Sequence, residues 1–267
     1  MGQKGLKSMY KRFFAIAIAS LLSATHVQAA KCGNDASGFE TWKTAFAPEA
    51  KAAGIGSAGL SALAGTHYAT KTIYVDRHQK SFNLSLEAFM RVRGASTIIA
   101  RGRSLKVQNA ALFSRIEQQY GVPAGPIIAI WGMETGFGAI SGNQNAVSAV
   151  ASLAYDCRRQ AYFTEELLAA LKLVDRGVLS SGSIGAMYGE VGQTQFMAKN
   201  ILAYGVGGSL TEKSNALMST ANFLKGHGWR RGAGYQPGEA NFAALQGWNA
   251  ASVYQQALAI MGKKIDE

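Results

Sequence analysis

The chain has 267 residues, of which 27 are Lys or Arg and 16 are Asp or Glu, so its formal net charge is +11 at pH 7. This length suffices for one domain with a substantial core, or for one domain with two lobes. The positive charge suits an anionic partner such as cell-wall polymer, nucleic acid or acidic lipid. No run of Lys or Arg after residue 29 resembles a nucleic-acid-binding arm, so no nucleic-acid partner is expected.

Residues 1–29 are predicted to be a secretory signal peptide rather than part of the fold. They begin with basic residues and continue with an apolar run over residues 13–22 that is too short for an ordinary membrane-spanning helix. Val27-Gln28-Ala29 is a small-x-small cleavage pattern, so we expect cleavage after Ala29 and a periplasmic protein. The alternative is an uncleaved anchor. Because Lys31 precedes Cys32, the context of a lipoprotein signal is missing and no lipid anchor is expected.

Helical periodicity dominates the remaining sequence and predicts a mostly α-helical α+β domain. Apolar residues recur at spacings of three and four in segments that include Phe39/Trp42/Phe46, Leu112/Ile116/Tyr120, Phe163/Leu167/Leu171/Val174 and Ala216/Thr220/Phe223/Leu224. Glycines follow three of these faces as helix stops, at positions 121, 177 and 226. Residues 81–84 alternate as an extended segment would, and the chain can turn helical from Ser85. The glycine-rich residues 180–192 predict loops or a short hairpin.

Glu134 is the candidate catalytic residue that the sequence singles out. It ends an apolar segment that opens at Pro123 and closes near Gly136, and we predict a buried helix there. A carboxyl among apolar neighbours is poorly solvated, so its pKa should rise, and the negative end of the helix dipole should raise it further. A raised pKa lets a carboxylic acid donate a proton near neutral pH. The alternative is a glutamate that simply faces solvent at a helix end.

The cysteines and histidines indicate whether a disulfide or a metal site is expected. Cys32 and Cys157 would both enter an oxidising compartment on export, where cysteines often pair. Since spacing alone does not show proximity, a disulfide and two unpaired thiols both stay open. His67, His78 and His227 are far apart in sequence and form no zinc pattern, so we expect neither a metal site nor a cofactor.

Four sequence segments are each weak motifs alone, but their order and spacing along the chain form a specific pattern. They are residues 131–138 (WGMETGFG), 155–163 (YDCRRQAYF), 189–197 (GEVGQTQFM) and 219–229 (STANFLKGHGW). In this arrangement they resemble the lytic murein transglycosylase B family, glycoside hydrolase family 103. The resemblance spans roughly residue 39 to the C-terminus, and residues 76–79 and 81–83 also resemble the N-terminal part of the family.

The resemblance implies a lysozyme-like transglycosylase fold, with residues 30–105 as an N-terminal helical lobe and residues 106–267 as the catalytic core. It implies cleavage, without water, of the β-1,4 bond between N-acetylmuramic acid and N-acetylglucosamine in peptidoglycan. Glu134 matches the family's single catalytic acid, which would protonate the glycosidic oxygen. As a carboxylate it would then take the proton of the muramyl C6 hydroxyl, which closes a 1,6-anhydro ring at the anomeric carbon.

The same resemblance implies substrate-binding roles for eight further residues. Arg158 and Arg159 match an arginine pair suited to the carboxylates of the stem peptide. A glutamine that contacts sugar is matched by Gln195, with Gln193 nearby. The lining of the cleft, aromatic with polar edges, is matched by Phe223, Trp248, Asn249 and Tyr254. Peptidoglycan glycan strands and stem peptides are therefore the expected partners.

Two alternative functions remain open, and the sequence departs from the family pattern at two places. A lysozyme-type hydrolase would need a second acid, for which Asp156 and Glu190 are candidates, although the arginines after Asp156 favour an ion pair there. A non-catalytic peptidoglycan-binding scaffold would not require Glu134. Residues 204–213 lack the acidic loop that binds calcium in some relatives, so no metal is expected there. Ala186 stands where the family has Ser.

Overall fold

The computed structural model describes residues 30–79 and 84–267, and helices account for most of this part of the chain. The predicted signal peptide at 1–29 and the resemblance at 81–83 lie outside the described residues. The helices are α1 (Phe39–Ala52), α2 (Ser57–Ala64), α3 (Thr70–Arg77), α4 (Leu86–Val92), α5 (Ala95–Gln108), α6 (Ala110–Tyr120), α7 (Ala124–Thr135), α8 (Ala146–Tyr155), α9 (Gln160–Asp175), α10 (Ala198–Tyr204), α11 (Lys213–Gly226), α12 (Phe242–Trp248) and α13 (Ser252–Asp266). A 3₁₀ turn covers Ala36–Gly38.

The helices predicted from periodicity are confirmed, and their ends follow from local chemistry. Helix α1 buries Phe39, Trp42 and Phe46, as its spacing predicted. The Ser85 hydroxyl accepts a hydrogen bond from the backbone N–H of Ala88 at 3.3 Å and caps the start of α4. Helix α6 ends at Gly121, whose φ of 76° is the left-handed conformation that commonly closes a helix.

The glycine-rich residues 180–192 do not form a hairpin of their own. Strand β2 (Ile184–Gly185) pairs antiparallel with β1 (Gln144–Asn145), which lies much earlier in the chain. Of the two predicted alternatives, loops and a short hairpin, the structure has loops, and the one short strand finds its partner outside the stretch. The Asn145 side chain also accepts a hydrogen bond from the N–H of Ser148 at 2.8 Å, so the same short strand caps α8.

Two apolar clusters form the core. One joins α4–α7 to α10–α13, and the other joins α1–α3 to α8 and α9. Residues of α8 and α9 contribute to both clusters, so these helices connect the two parts. The predicted division at residue 105 falls within α5, which packs against α7 and α13. Packing thus groups α4 and α5 with the part that carries Glu134.

None of the helices in the described ranges combines the length and the apolar character that crossing a bilayer requires.

Helix α13 holds α7 in place over its length. A Cβ at Gly125 of α7 would lie 2.2 Å from the carbonyl oxygen of Gly262 on α13, so this close crossing requires glycine. At the end of α13, the Asp266 carboxylate accepts a hydrogen bond from the Gly125 N–H at 2.8 Å. A carboxylate at a helix N-terminus is electrostatically favourable, so Asp266 anchors the first turn of α7. The position of the last turn of α7 is set by the same pairing.

The structure joins Cys32 to Cys157 through a disulfide, one of the two possibilities that the sequence left open. Beside it, the Gly33 N–H donates to the carbonyl of Tyr155 at 3.0 Å, and the Cys157 N–H donates to the carbonyl of Gly33 at 3.3 Å. The first described residues are thereby attached to the end of α8.

Candidate active site

Glu134 lies in the last turn of α7, where the helix leaves the core. The residues of α7 before it are buried, whereas Glu134 itself is partly exposed. The helix ends near Gly136 as predicted, with φ of 57° there and φ of 67° at the next residue, Phe137. A positive φ is uncommon for a residue with a bulky side chain, and such strained conformations concentrate at functional sites. The turn therefore leaves Glu134 partly accessible at the end of a helix that is otherwise buried.

The turn after Glu134 is tied to residues 189–197, another of the matched segments. The Thr135 hydroxyl donates to the carbonyl of Gln193 at 2.6 Å and accepts from the N–H of Gly138 at 2.8 Å. Both contacts are made by a residue adjacent to Glu134. They fix the orientation of the acid relative to the opposite wall of the site.

Two side chains from the C-terminal region donate hydrogen bonds to the Glu134 carboxyl. The indole Nε1 of Trp248 donates to Oε1 at 3.0 Å, and the hydroxyl of Tyr254 donates to the same oxygen. Trp248 is the last residue of α12 and Tyr254 lies in the first turn of α13. The resemblance predicts that both residues line the cleft. Trp248 lines the cavity beside Glu134, whereas Tyr254 is buried and contacts the acid from behind the lining.

The surroundings of Glu134 favour its protonated form. Burial raises the pKa of the Glu134 carboxyl above its ordinary value, and the hydrogen bonds from Tyr254 and Trp248 and the positive charge of Arg93 offset part of that rise. Burial and the Glu134 charge also raise the pKa of Tyr254, so its hydroxyl keeps its proton and remains a donor. Glu134 is thus a weaker acid than an exposed glutamate, with two donors ready to stabilise its carboxylate.

Glu134 opens into a cavity of about 240 Å³. The cavity is lined by the acid and by polar and aromatic side chains, namely Glu134, Glu190, Gln195, Phe196, Met197, Asn200, Phe223, Trp248 and Asn249. No role was predicted from the sequence for Phe196, Met197 or Asn200. Phe196 and Met197 belong to residues 189–197, one of the four segments that carry the resemblance, so their position at the site could have been predicted. Asn200 follows Met197 by three residues, and that helical spacing at the start of α10 places both on the cavity side.

One wall of the cavity is aromatic. The rings of Phe196, Phe223 and Trp248 meet edge to face, with Trp248 5.3 Å from Phe196 and 5.0 Å from Phe223 between ring centroids. Phe223 also stacks on His227 at 3.9 Å between ring centroids. These contacts hold the Trp248 indole in the position from which it reaches Glu134.

The two candidate glutamines lie in different surroundings. Gln195 lines the cavity in a left-handed conformation with φ of 55°, within a tight turn that pairs Val191 with Phe196. The side chain of Gln193 accepts from Trp131 Nε1 at 3.0 Å and donates to the carbonyl of Thr211 at 2.7 Å. Both ends of the Gln193 amide are therefore used within the protein, and it is not among the residues that line the cavity. Gln193 thus links Trp131 to the Thr211 loop, and its binding role stays a prediction.

Glu190 is a second carboxyl in the cavity. Its Oε2 accepts a hydrogen bond from the N–H of Tyr188 at 3.0 Å. Burial raises the pKa of Glu190 most, and hydrogen bonds from the backbone N–H groups of Glu190 and Tyr188 offset part of that rise. The charge of Glu134 raises the pKa further by a smaller amount, and Arg159 lowers it.

The predicted arginine pair lies in a cluster of charged residues outside the cavity lining. Arg158 Nε donates to Asp76 at 2.9 Å, and Arg159 pairs with the same carboxylate. Asp156 pairs instead with Arg77, at 2.5 Å. The expectation of an ion pair at Asp156 is confirmed, but its side-chain partner is an arginine of α3 rather than its sequence neighbours. Because Asp156 is buried and paired there, it does not supply a second acid to the cavity.

Replacing Asp76 with Asn is expected to destabilise the protein by about 2 kcal/mol, the range for hydrogen bonds to charged groups. The carboxylate is almost wholly buried, while the Arg158 and Arg159 side chains are 42% and 36% exposed and stay partly hydrated. Water can hydrate the two arginine side chains when they lose their charged partner. The loss of stability should therefore be smaller than for breaking a fully buried ion pair. Denaturant unfolding measures the change. Glu87→Gln is the control, since both members of its pair with Arg91 are exposed; equal effects of the two substitutions would contradict the prediction.

Comparison with known protein families gives a match to the family model described as transglycosylase SLT domain, over residues 38–238. The chain is also 33% identical, over 142 residues, to membrane-bound lytic murein transglycosylase B of Escherichia coli strain K12. That alignment covers 47% of this chain and 39% of the relative, so well under half of the relative's length is matched.

Solved structures give matches over most of the chain. SltB3 from Pseudomonas aeruginosa, in complex with NAG-anhNAM-pentapeptide, superimposes with a TM-score of 0.78 at 25% identity, covering 84% of this chain and 78% of that one. SltB1 from the same organism gives a TM-score of 0.75 at 20% identity, covering 84% of this chain and 97% of that one. The Escherichia coli lytic transglycosylase Slt35 gives 0.69 at 19% identity, covering 89% and 96%. The predicted lysozyme-like, mostly helical fold is confirmed by these likenesses.

Proposed function

The chain belongs to the transglycosylase SLT domain family, and from this premise we propose that it is a lytic transglycosylase of peptidoglycan. It cleaves the β-1,4 bond between N-acetylmuramic acid and N-acetylglucosamine and leaves 1,6-anhydromuramic acid. The observation that supports this most is the partly exposed Glu134 at the end of buried α7, whose carboxyl has a raised pKa and two donors on one of its oxygens.

The reaction needs one group that first gives and then takes a proton. Protonated Glu134 donates to the glycosidic oxygen as the bond to the anomeric carbon breaks. The resulting carboxylate takes the proton from the muramyl C6 hydroxyl as that oxygen bonds to the anomeric carbon. No water is consumed, and Glu134 ends in its starting protonation state. Since Trp248 and Tyr254 both donate to Oε1, we assign the proton transfers to Oε2.

The cavity walls suit a sugar substrate. The Trp248 ring, supported by the buried Phe223, offers flat apolar area, and Gln195, Asn200 and Asn249 supply polar groups at its edges. The Arg77, Arg158 and Arg159 guanidiniums outnumber the Asp76 and Asp156 carboxylates that they pair with, so the cluster keeps positive charge. We assign Arg158 and Arg159, each partly exposed, to the carboxylates of a stem peptide.

Glu190 favours a second candidate, a lysozyme-type hydrolase in which another carboxylate activates water. The two reactions leave different ends: ring closure gives anhydro-muropeptides, whereas hydrolysis gives reducing ends. Mass spectrometry of peptidoglycan digested by residues 30–267 separates them. We expect anhydro products, and we expect them also from Glu190→Gln. Reducing-end products that disappear in Glu190→Gln would support the hydrolase instead, and binding to peptidoglycan without any product would support a scaffold.

We further propose that the protein acts in the periplasm after a signal peptide is removed. This rests on the basic start, apolar run and cleavage pattern of residues 1–29. Peptidoglycan lies outside the cytoplasmic membrane, so the proposed substrate also requires export. Expression of the full chain in a Gram-negative host and fractionation of the periplasm test the proposal; retention of the full-length chain in the cytoplasm would contradict it.

Activity is expected to fall as pH rises through the raised pKa of Glu134. The acid must be protonated in the free enzyme, so the rate should be level on the acidic side and drop about tenfold per pH unit above that pKa. The measurement is the rate of anhydro-product release from a soluble peptidoglycan fragment across pH. Tyr254→Phe removes a hydrogen bond that lowers the pKa, so its falling limb should move to higher pH. A falling limb near pH 4.3, roughly the ordinary value for glutamate, would contradict the assignment.

A further inference from the structure

The backbone nitrogen of Ala30 lies in a site whose chemistry suits a cation. Its N–H donates to Glu49 Oε1 at 2.5 Å, and Ala30 is only 7% exposed. Glu49 belongs to α1 and is half-buried. An amide offers this carboxylate one neutral donor. An ammonium group at the same position would offer up to three donors and a full opposite charge, which makes a shorter and stronger interaction.

Contacts from three helices fix the position of this nitrogen. Gln160 of α9 donates to the carbonyl of Ala30 at 3.2 Å. Cys32 is bonded to Cys157, and Gly33 pairs with the end of α8. With Glu49 from α1, these contacts hold residues 30–33 on both sides. The site is therefore built by the fold rather than by one surface side chain.

The sequence points independently to the peptide bond between Ala29 and Ala30. The pattern Val27-Gln28-Ala29 predicts cleavage after Ala29, which would convert the Ala30 amide into a free α-ammonium group. We propose that Glu49 and the contacts around Ala30 form a binding site for this α-ammonium group. Removal of the signal peptide would then add an ion pair to the folded protein. The proposal rests on the proposed export and is independent of the catalytic assignment.

The ion pair has a defined pH dependence. Glu49 is the acidic group at the Ala30 nitrogen, while Lys31 and the Tyr155 hydroxyl of α8 border the same surface cavity. An α-amino group in an unfolded chain has a pKa of about 7.7–8.0. In the proposed ion pair the Glu49 carboxylate favours the charged amine, so the added stability should be complete well below that range and should be lost at higher pH.

A four-protein cycle tests the site. The proteins begin either at Ala30 or with Ser-Gly placed before Ala30, and each is made with Glu49 and with the substitution Glu49→Gln. With Glu49 present, the extension is expected to lower Tm by about 3 °C at pH 7. In the Glu49→Gln proteins the extension should have no effect, and at pH 11 the difference should shrink in the proteins that keep Glu49. An equal effect of the extension with and without the substitution, or none in either case, would overturn the proposal.

Two further measurements separate the site from general destabilisation. Pulse labelling with an amine-reactive reagent at pH 7 should modify the Ala30 α-amine several-fold more slowly in the native protein than in Glu49→Gln. The intact mass of the exported protein should place its first residue at Ala30, and a different first residue would overturn the proposal. None of these readouts involves peptidoglycan, so parallel assays of anhydro-muropeptide release test the proposed function separately.

Discussion

Replacing Glu134 with Gln is expected to reduce anhydro-muropeptide release by a factor of about 10²–10⁴, the usual contribution of a general acid. The amide has the shape of the acid, and its oxygen can still accept from Trp248 and Tyr254. It can neither protonate the glycosidic oxygen nor take the C6 proton afterwards. Substrate binding should therefore persist while both chemical steps fail. Mass spectrometry of the released muropeptides measures the loss.

The same substitution is expected to stabilise the fold. Because the pKa of Glu134 is raised in the folded protein, the folded state binds this proton more tightly than the unfolded chain does. Stability contributed by the group therefore falls as pH rises from the ordinary glutamate value through the raised one. Gln carries no charge to desolvate, so Glu134→Gln should gain about 1 kcal/mol at neutral pH. Thermal unfolding at several pH values measures the gain, which should shrink on the acidic side.

Glu166→Gln is the matched control for both effects. Glu166 is also buried with a raised pKa, and burial is again the main cause, but it accepts from the Lys199 N–H and does not line the cavity. This variant should keep its activity. Activity of Glu134→Gln above about a tenth of the native rate would show that another group supplies the proton, and Glu190 would then be tested first.

The sequence could predict Glu134 and its helix because the relevant signals are contiguous. Two prolines at its start, an apolar run and a following glycine determine α7 locally. Its ending at Gly136 could be read from the chain for the same reason. The disulfide could only be raised as a possibility, since two cysteines 125 residues apart meet only through the packing of α1 and α8.

Contacts that depend on tertiary packing could not be predicted from the sequence. Asp76 pairs with the two arginines that follow Asp156 in sequence, and Asp156 pairs with Arg77, which follows Asp76. This arrangement arises because α3 packs against α8. Strand β2 pairs with β1 across a long stretch of chain. Gln193 lies within a matched segment, but its amide is used by Trp131 and Thr211. In each case the deciding partner lies far away in sequence.

Removing the disulfide by the double substitution Cys32→Ser and Cys157→Ser is expected to cost about 5 kcal/mol in the chain-entropy model. The bond closes a loop with a sequence separation of 125, so it restricts a large part of the unfolded chain. For a chain of this size the loss corresponds to a fall in Tm of about 10–20 °C. Thermal unfolding of the oxidised native protein and of the double variant measures it.

Activity at low temperature should survive this change, because the disulfide joins residues 32–33 to the end of α8 and contributes nothing to the cavity lining. The native protein treated with a thiol reductant should unfold at the temperature of the double variant, and the reductant should have no effect on the variant itself. Equal Tm values for the oxidised protein and the variant would show that the backbone pairing of Gly33 with Tyr155 holds the segment without the bond. A fall in Tm together with weaker protection of the Ala30 amine would show that the disulfide also positions residue 30 against Glu49.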